Sequence, residues 1–306
     1  MKILVTGASG PLATSTIKEL LQHVSASDLI LMSRKPEKLE QFAKIGCKTT
    51  YGDFKDRASL DAAARGADKM LLISGYEVGH RIPQHSNAIH AARDAGVQHI
   101  VYTSFIQAVP ENKALITQDH SGTEAVLRAS GVAWTAMRDA NYCETITDAA
   151  GPAAIRNRRW IASAADGKAG WVPRADCVSC LVSVLTTPGH QNRSYNIGAT
   201  ETWSFPEIAA LMTEITGVPI EYINVTDDEL YAYWDAKGVP RDALKEFNFE
   251  GYAWCSDDMI SYEKALREGW WDITTDDVEI LTGRKPQSLR DFCWDRADQL
   301  RAAARA

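Results

Sequence analysis

Residues 1–21 read MKILVTGASGPLATSTIKELL: an apolar run ending at Thr6, the turn Gly7-Ala-Ser-Gly10-Pro-Leu-Ala13, and then a stretch rich in helix formers. A glycine turn between a strand and a helix has two readings. It can hold the phosphates of a nucleotide on the free N–H groups of the helix, or it can simply bend the chain back. The turn alone does not choose between them, so the choice rests on the pattern of the chain beyond it.

That pattern is regular. Apolar or β-branched runs over residues 2–6, 28–33, 47–51, 69–74, 98–104 and 132–138 alternate with amphipathic stretches over 11–23, 36–45, 57–65, 83–95 and 119–130. Parallel neighbours need a crossover, and right-handed crossovers cover both faces of the sheet. The alternation therefore predicts an α/β fold on a doubly wound parallel Rossmann sheet. Gly46, Gly66, Gly96 and Gly131 fall at helix ends, where a left-handed residue is wanted. In that setting the opening turn reads as a dinucleotide site, with Gly7, Ser9, Gly10, Pro11 and Leu12 around the pyrophosphate and Ala13 in place of the usual third glycine.

The end of the second strand bears on which dinucleotide. An NAD site usually carries a carboxylate there to accept from the ribose hydroxyls, whereas this chain reads Ser33-Arg34-Lys35. A guanidinium can bind a 2′-phosphate bidentately, with Ser33 and Lys35 as further donors, so NADPH is expected over NADH; a solvated basic turn is the plainer alternative. Asp53 and Phe54, after the third strand, are expected to border the adenine. Ser74 and Gly75, and Thr103 and Ser104, end the fourth and fifth strands, where open α/β sheets bind ligands, and are expected around the nicotinamide. Capping or turn-forming roles would explain the same residue types.

Composition narrows the field. The 306 residues carry a formal charge of −7, which gives no attraction to phosphate backbones, so no nucleic-acid partner is expected. No stretch approaches the roughly 18 apolar residues of a membrane span. Residues 1–5 are too short for the apolar part of a signal peptide, and a cytoplasmic protein without membrane contact is expected. Cys177-Val-Ser-Cys180 has C-x-x-C spacing but no second ligand pair nearby; it lies in an apolar run read as a buried helix following Asp176, so reduced core thiols are expected. His80, His85 and His90 recur every five residues, about 140° apart around a helix, and no metal is predicted.

Beyond residue 150 the alternation becomes irregular, and all nine tryptophans but Trp134 lie there. Residues 194–198 read as a seventh strand returning to the sheet. Ser204-Phe-Pro-Glu207 and Thr226-Asp-Asp-Glu229 are capping boxes announcing helices, with a strand over 220–225 between them. The expected division is a dinucleotide-binding domain over residues 1–155, with a return segment at about 172–200, and a smaller mixed lobe over 201–306 that binds substrate. Trp160, Trp171 and Tyr252 are expected to reach its pocket, while most of the tryptophans pack.

The glycine turn, Asp53, and the stretches LISGYEVGHRIPQH (72–85), VYTS (101–104) and MRDANY (137–142) resemble the NmrA-like branch of the atypical short-chain dehydrogenases. Within it the chain is most similar to bacterial NADPH:quinone reductases and triphenylmethane-dye reductases. LTGRKPQSLRDF (281–292) resembles a C-terminal signature of the branch, so the similarity covers nearly the whole chain. The resemblance implies an NADPH-dependent reductase that uses neither flavin nor metal.

Ordinary short-chain dehydrogenases pair Tyr-x-x-x-Lys on a helix beside the nicotinamide. Here the string Tyr51-Gly-Asp-Phe-Lys55 lies on the adenine side, and the helix where the pair belongs reads Asp119-His-Ser-Gly-Thr-Glu-Ala-Val-Leu-Arg. Without that tuned acid, the site suits an electrophilic conjugated acceptor, such as a quinone or a cationic dye, that delocalises the charge a hydride brings. His120 and Tyr142 are the candidate catalytic residues. In the resemblance His120 falls where phenylpropanoid reductases carry a lysine and the quinone-reductase group a histidine, and its imidazole is expected to switch protonation near neutral pH; capping or packing at a helix N-terminus is the other reading. Tyr76, Phe105, Asn141 and Tyr142 are expected to wall the pocket, with aromatic faces stacking on a flat aromatic substrate, against a competing reading as core. Residues 109–116 have the composition of a mobile loop over it. A non-catalytic NADP-binding redox sensor and a stereospecific reductase of a plant-derived aromatic compound stay open, as does the oligomeric state, a homodimer included.

Overall fold

Side chains alternate faces along a strand, and this alternation sorts the apolar runs between two helical layers. The computed structural model describes residues 1–244, 248–249, 252–253 and 255–305. It places β1 (Ile3–Val5), β2 (Leu29–Ser33), β3 (Lys48–Tyr51), β4 (Lys69–Leu72), β5 (His99–Phe105) and β6 (Ala133–Asp139) side by side in the order β3-β2-β1-β4-β5-β6, every pair parallel. The crossovers are α1 (Pro11–Leu20), α2 (Glu40–Ala43), α3 (Arg57–Ala64), α4 (Arg81–Asp94) and α5 (Leu115–Ala129). Val5, Leu31, Leu71 and Val101 pack on one side with Ile17 and Leu20 of α1. Leu4, Ile30, Met70 and Ile100 pack on the other with Leu60 of α3 and Ile89 of α4. The four glycines expected at helix ends all have positive φ.

After β6 the chain forms β7 (Asn141–Tyr142), α6 (Cys143–Thr145), a wide π-helical turn over Ile146–Ala150, α7 (Gly151–Asn157), β8 (Arg159–Ala162), β9 (Lys168–Val172) and α8 (Arg174–Thr186). Next, β10 (Arg193–Ile197) returns to lie parallel beside β6 as the seventh strand. Then come β11 (Thr202–Ser204), α9 (Phe205–Thr216), β12 (Glu221–Asn224), α10 (Asp227–Ala236) and α11 (Ser256–Arg267). Both capping boxes form with reciprocal bonds, at Ser204 and Glu207 and at Thr226 and Glu229. All six cysteines are buried and unpaired. Among the described residues no helix is long and apolar enough to cross a membrane.

Several expected boundaries move, most of them for a tertiary reason. β4 stops at Leu72 rather than 74, because Ile73 N–H donates to Thr6 Oγ1 and Ser74 N–H to Thr103 Oγ1, both at 2.9 Å, and these hydroxyls replace the ladder. α5 starts at Leu115, not 119: Leu115 N–H donates to Ser261 Oγ of α11 at 3.1 Å, a cap supplied from 146 residues away. The expected loop over 109–116 is correspondingly shorter and tied down, since Asn112 is wholly buried and its Oδ1 accepts from Ala114 N–H. The stretch 36–45 divides into a tight turn over Pro36–Leu39 and the single turn of α2. α8 begins before Asp176, whose carboxylate instead accepts from Gln287 N–H and pairs with Arg284, anchoring the 281–292 stretch.

α11 docks on the β8–β9 turn at main-chain distance. Glu263 accepts from Ser163 N–H, Arg267 Nη1 donates to Ser163 O at 2.9 Å, and a Cβ on Gly167 would stand 2.4 Å from Leu266 O. The obstructing atom is a carbonyl that cannot rotate aside, so Gly167→Ala should destabilise the chain by about 1–3 kcal/mol in denaturant unfolding. Burial pushes the Glu263 carboxyl up to about 7, with the Ser163 bonds and Arg267 offsetting only part of the rise. The folded chain therefore keeps a proton that an unfolded glutamate releases, and stability is lost as pH rises through 7. Glu263→Gln should match the wild-type unfolding free energy at pH 5 and exceed it at pH 8; an unchanged pH slope would contradict the assignment.

Candidate active site

β1 and β4 are neighbours whose connections leave in opposite directions, which opens a crevice at their carboxyl ends. Gly7, at φ +58°, turns the chain there, and Gly10 N–H donates to Gly7 O at 2.9 Å. A Cβ on Gly10 would lie 3.3 Å from that oxygen, so the turn is built for a bare backbone. Pro11 opens α1, where a missing N–H costs nothing. Gly10 provides no side-chain cap, and the Leu12 and Ala13 N–H groups have no acceptor within the helix. These donors and the positive helix end face a cavity of about 460 Å³. Every residue expected around the dinucleotide except Thr103 and Ser104 borders it.

Basic side chains gather at one end of this cavity. The Arg34 guanidinium lies 5.3 Å from the Tyr76 ring centroid and bonds the Tyr76 hydroxyl. Lys35 and Lys55 border the same space, as does Lys38, which the sequence pattern did not single out because it lies in a stretch that reads as a continuous helix. Ser33 Oγ stands 2.9 Å from Ser9 Oγ and accepts from Lys35 N–H at 3.0 Å, tying the second strand's end to the glycine turn. Asp53 Oδ1 accepts from Lys55 N–H at 2.9 Å. Lys55 Nζ pairs with Glu77 at 2.8 Å and Tyr51 is half exposed, so that Tyr-x-x-x-Lys string forms no catalytic pair.

A second cavity, of about 440 Å³, adjoins the first through their common wall residues Ser74 and Tyr76. Thr103, Ser104, Phe105, His120, Asn141 and Tyr142 line it, with Trp160 and Trp171 beyond them. Its far wall comes from elements that local sequence does not connect to the sheet: Phe205 of α9, Trp234 of α10, and Asp258, Tyr262 and Glu263 of α11. Phe105 stacks beside His120, with centroids 6.1 Å apart, and meets Trp271 edge-on at 5.3 Å. The Tyr252 side chain and Trp254 lie outside the described residues.

Several of the polar residues are already committed. Ser104 Oγ donates to the buried Glu124 Oε1 at 2.7 Å, and Arg138 Nε and Nη2 donate to the same carboxylate. Asn141 Nδ2 donates to Gly170 O at 3.2 Å. The Tyr142 hydroxyl donates to Asp139 Oδ2 at 2.7 Å. Burial pushes Asp139 up to about 7 and raises Tyr142 well above the usual phenol range, so the tyrosine keeps its proton and directs it to Asp139 rather than to a ligand.

His120 departs most from expectation. It is the sixth residue of α5 rather than a cap, and it is 3 % exposed. Burial, with the Arg81 guanidinium and His85 adding to it, drives its pKa well below the ordinary range, so the imidazole is neutral and not a switch near pH 7. Arg81 Nη1 meets His120 Nε2 at 3.1 Å, and a guanidinium can only donate; Nε2 therefore accepts, and Nδ1–H donates to Tyr102 Oη at 2.7 Å. Both ring nitrogens are occupied. Arg81 itself lies inside the 72–85 stretch, but nothing local marks it as buried.

The chain matches an NAD(P)H-binding family model over residues 7–188. Quinone oxidoreductase 2 of Escherichia coli is 35 % identical over 78 % of this chain and 82 % of its own length. The crystal structure of that enzyme with NADPH superposes with a TM-score of 0.86 at 30 % identity, covering 97 % of this chain and 99 % of the other. The Citrobacter triphenylmethane reductase complexed with NADP(H) gives 0.82 at 30 % identity, over 97 % and 100 %. An NmrA-like family domain-containing oxidoreductase of Aspergillus flavus is 26 % identical over 75 % of this chain and 76 % of its own. With a phosphate-ready glycine turn, a basic end and an adjoining aromatic chamber in one crevice, the chain belongs to the NAD(P)H-binding family and is an NAD(P)H-dependent reductase related to quinone oxidoreductase 2.

Proposed function

We propose that this reductase uses NADPH to reduce a flat, conjugated electrophile of the quinone type. The observation that carries the reading is the adjacency of the two cavities: the dinucleotide crevice shares the wall residues Ser74 and Tyr76 with a chamber walled by Phe105, Trp160, Trp171 and Phe205. When bound, the nicotinamide supplies a hydride. The chain's own residues do the rest. The glycine turn and the α1 amides bind the pyrophosphate, and Arg34, Lys35 and Lys38 take the 2′-phosphate. The aromatic faces orient the acceptor and keep water out, which suits an electrophile that needs position more than a strong acid. The neutral, doubly engaged His120 and the Asp139-bound Tyr142 support the same choice, since neither offers a proton to a simple ketone.

NADPH consumption, followed by its absorbance with a panel of quinones and cationic dyes, should accelerate strongly on adding a quinone and not on adding an unconjugated ketone. Tight NADPH binding with no acceptor turned over would sink the proposal. Arg34→Asp should raise the KM for NADPH by about 10–100-fold, the worth of a charge-assisted hydrogen-bond pair, while leaving the KM for NADH nearly unchanged. Equal effects on both would remove Arg34 from the 2′-phosphate site.

A further inference from the structure

Arg81 opens α4 and is only 7 % exposed, yet it lines the aromatic chamber. Its Nη1 anchors on His120 Nε2, and among the described residues no other acceptor stands at hydrogen-bond distance of the guanidinium; Nε is buried with no partner. The floor beneath it is fixed by the same donor logic. Gly75 N–H, which can only donate, meets His85 Nε2 at 3.1 Å, so His85 Nδ1–H donates to Thr123 Oγ1 at 3.0 Å. The Tyr102 oxygen accepts the His120 Nδ1–H bond. Neither imidazole can rotate to take more of the arginine without breaking a bond at its other nitrogen. The charged and titratable groups facing Arg81 are Asp119 and His120 of α5, His85 of α4 and Asp258 of α11. Asp119 Oδ2 is 3.9 Å from Nε and is held by Gly79 N–H at 2.6 Å, and Asp258 Oδ1 makes no hydrogen bond. The two acids offset the arginine's charge without using its donors.

We propose that Arg81, and not His120, meets the polar end of the substrate: anchored by His120, the guanidinium gives its unshared N–H groups to a carbonyl oxygen conjugated with the substrate ring. A charged guanidinium with N–H groups unshared in the folded chain gains a charge-assisted hydrogen bond from a ligand that brings an acceptor. The inference rests on the reductase reading above. Hydride addition to a quinone delivers two electrons and one hydrogen and leaves a negative charge on a carbonyl oxygen. The Arg81 N–H groups hold that charge until a proton from solvent water completes the hydroquinone. Arg81 is thus a catalytic residue, and His120 is the residue that positions it.

The test uses the NADP⁺-loaded chain, which cannot turn over, with naphthoquinone as the probe. Binding is read by quenching of tryptophan fluorescence and carbonyl contact by infrared difference spectra. One of the two carbonyl bands should move to lower frequency on binding. Arg81→Met should return it to the unbound position and weaken quinone binding about 10–100-fold, as expected for a hydrogen bond from a charged donor. Quenching with both wild-type bands unmoved overturns the role of Arg81 and leaves the reductase reading standing, whereas no quenching at all overturns both. Should Arg81→Met fail to fold, the wild-type bands decide.

Discussion

The molecule depends on one topological constraint: β1 and β4 lie side by side, but the chain leaves them toward opposite edges of the sheet. No crossover can cover the gap between their carboxyl ends, so a crevice opens there whatever the side chains are. What this sequence adds is the chemistry of its rim. Gly7 and Gly10 keep side chains out of the crevice on the β1 side. On the β4 side, Thr6 and Thr103 take the Ile73 and Ser74 amides and peel the strand away. The departing segment, Ser74 to Tyr76, becomes the seam between the two cavities.

Burial decides the electrostatics of the chamber. His85 is pushed down to about 3 and His120 well below its ordinary range, mainly by desolvation, while Asp139 and Asp258 are pushed up to about 7 and about 6 for the same reason. In a low-dielectric site the charged form of each group is disfavoured unless a partner compensates it. A guanidinium, by contrast, can only donate. The polar floor is consequently built from fixed donors, Arg81 and the Gly75 amide, and two imidazoles oriented to accept from them.

The far wall arrives from a distance in sequence. α11 caps α5 through Ser261, binds the β8–β9 turn through Glu263 and Arg267, and sends Asp258 and Tyr262 to the chamber. A single helix therefore fixes both where α5 begins and where the substrate space ends. This couples the position of His120, one and a half turns into α5, to an element more than a hundred residues downstream.

By itself the sequence determined what repeats locally. Strand and helix periodicity gave the doubly wound sheet. The glycines named their own turns, two capping boxes announced α9 and α10, and the glycine fingerprint with Ser33-Arg34-Lys35 marked the dinucleotide crevice, because these signals act between residues a few positions apart. Only the tertiary structure decided the state of the polar groups. That Ser104 is spent on Glu124, that Tyr142 is spent on Asp139, that His120 is neutral and that Arg81 is buried all depend on partners and solvent exclusion supplied by other elements. A residue's type is local, but its protonation and its free donors belong to the packed surroundings, and no spacing along the chain records them.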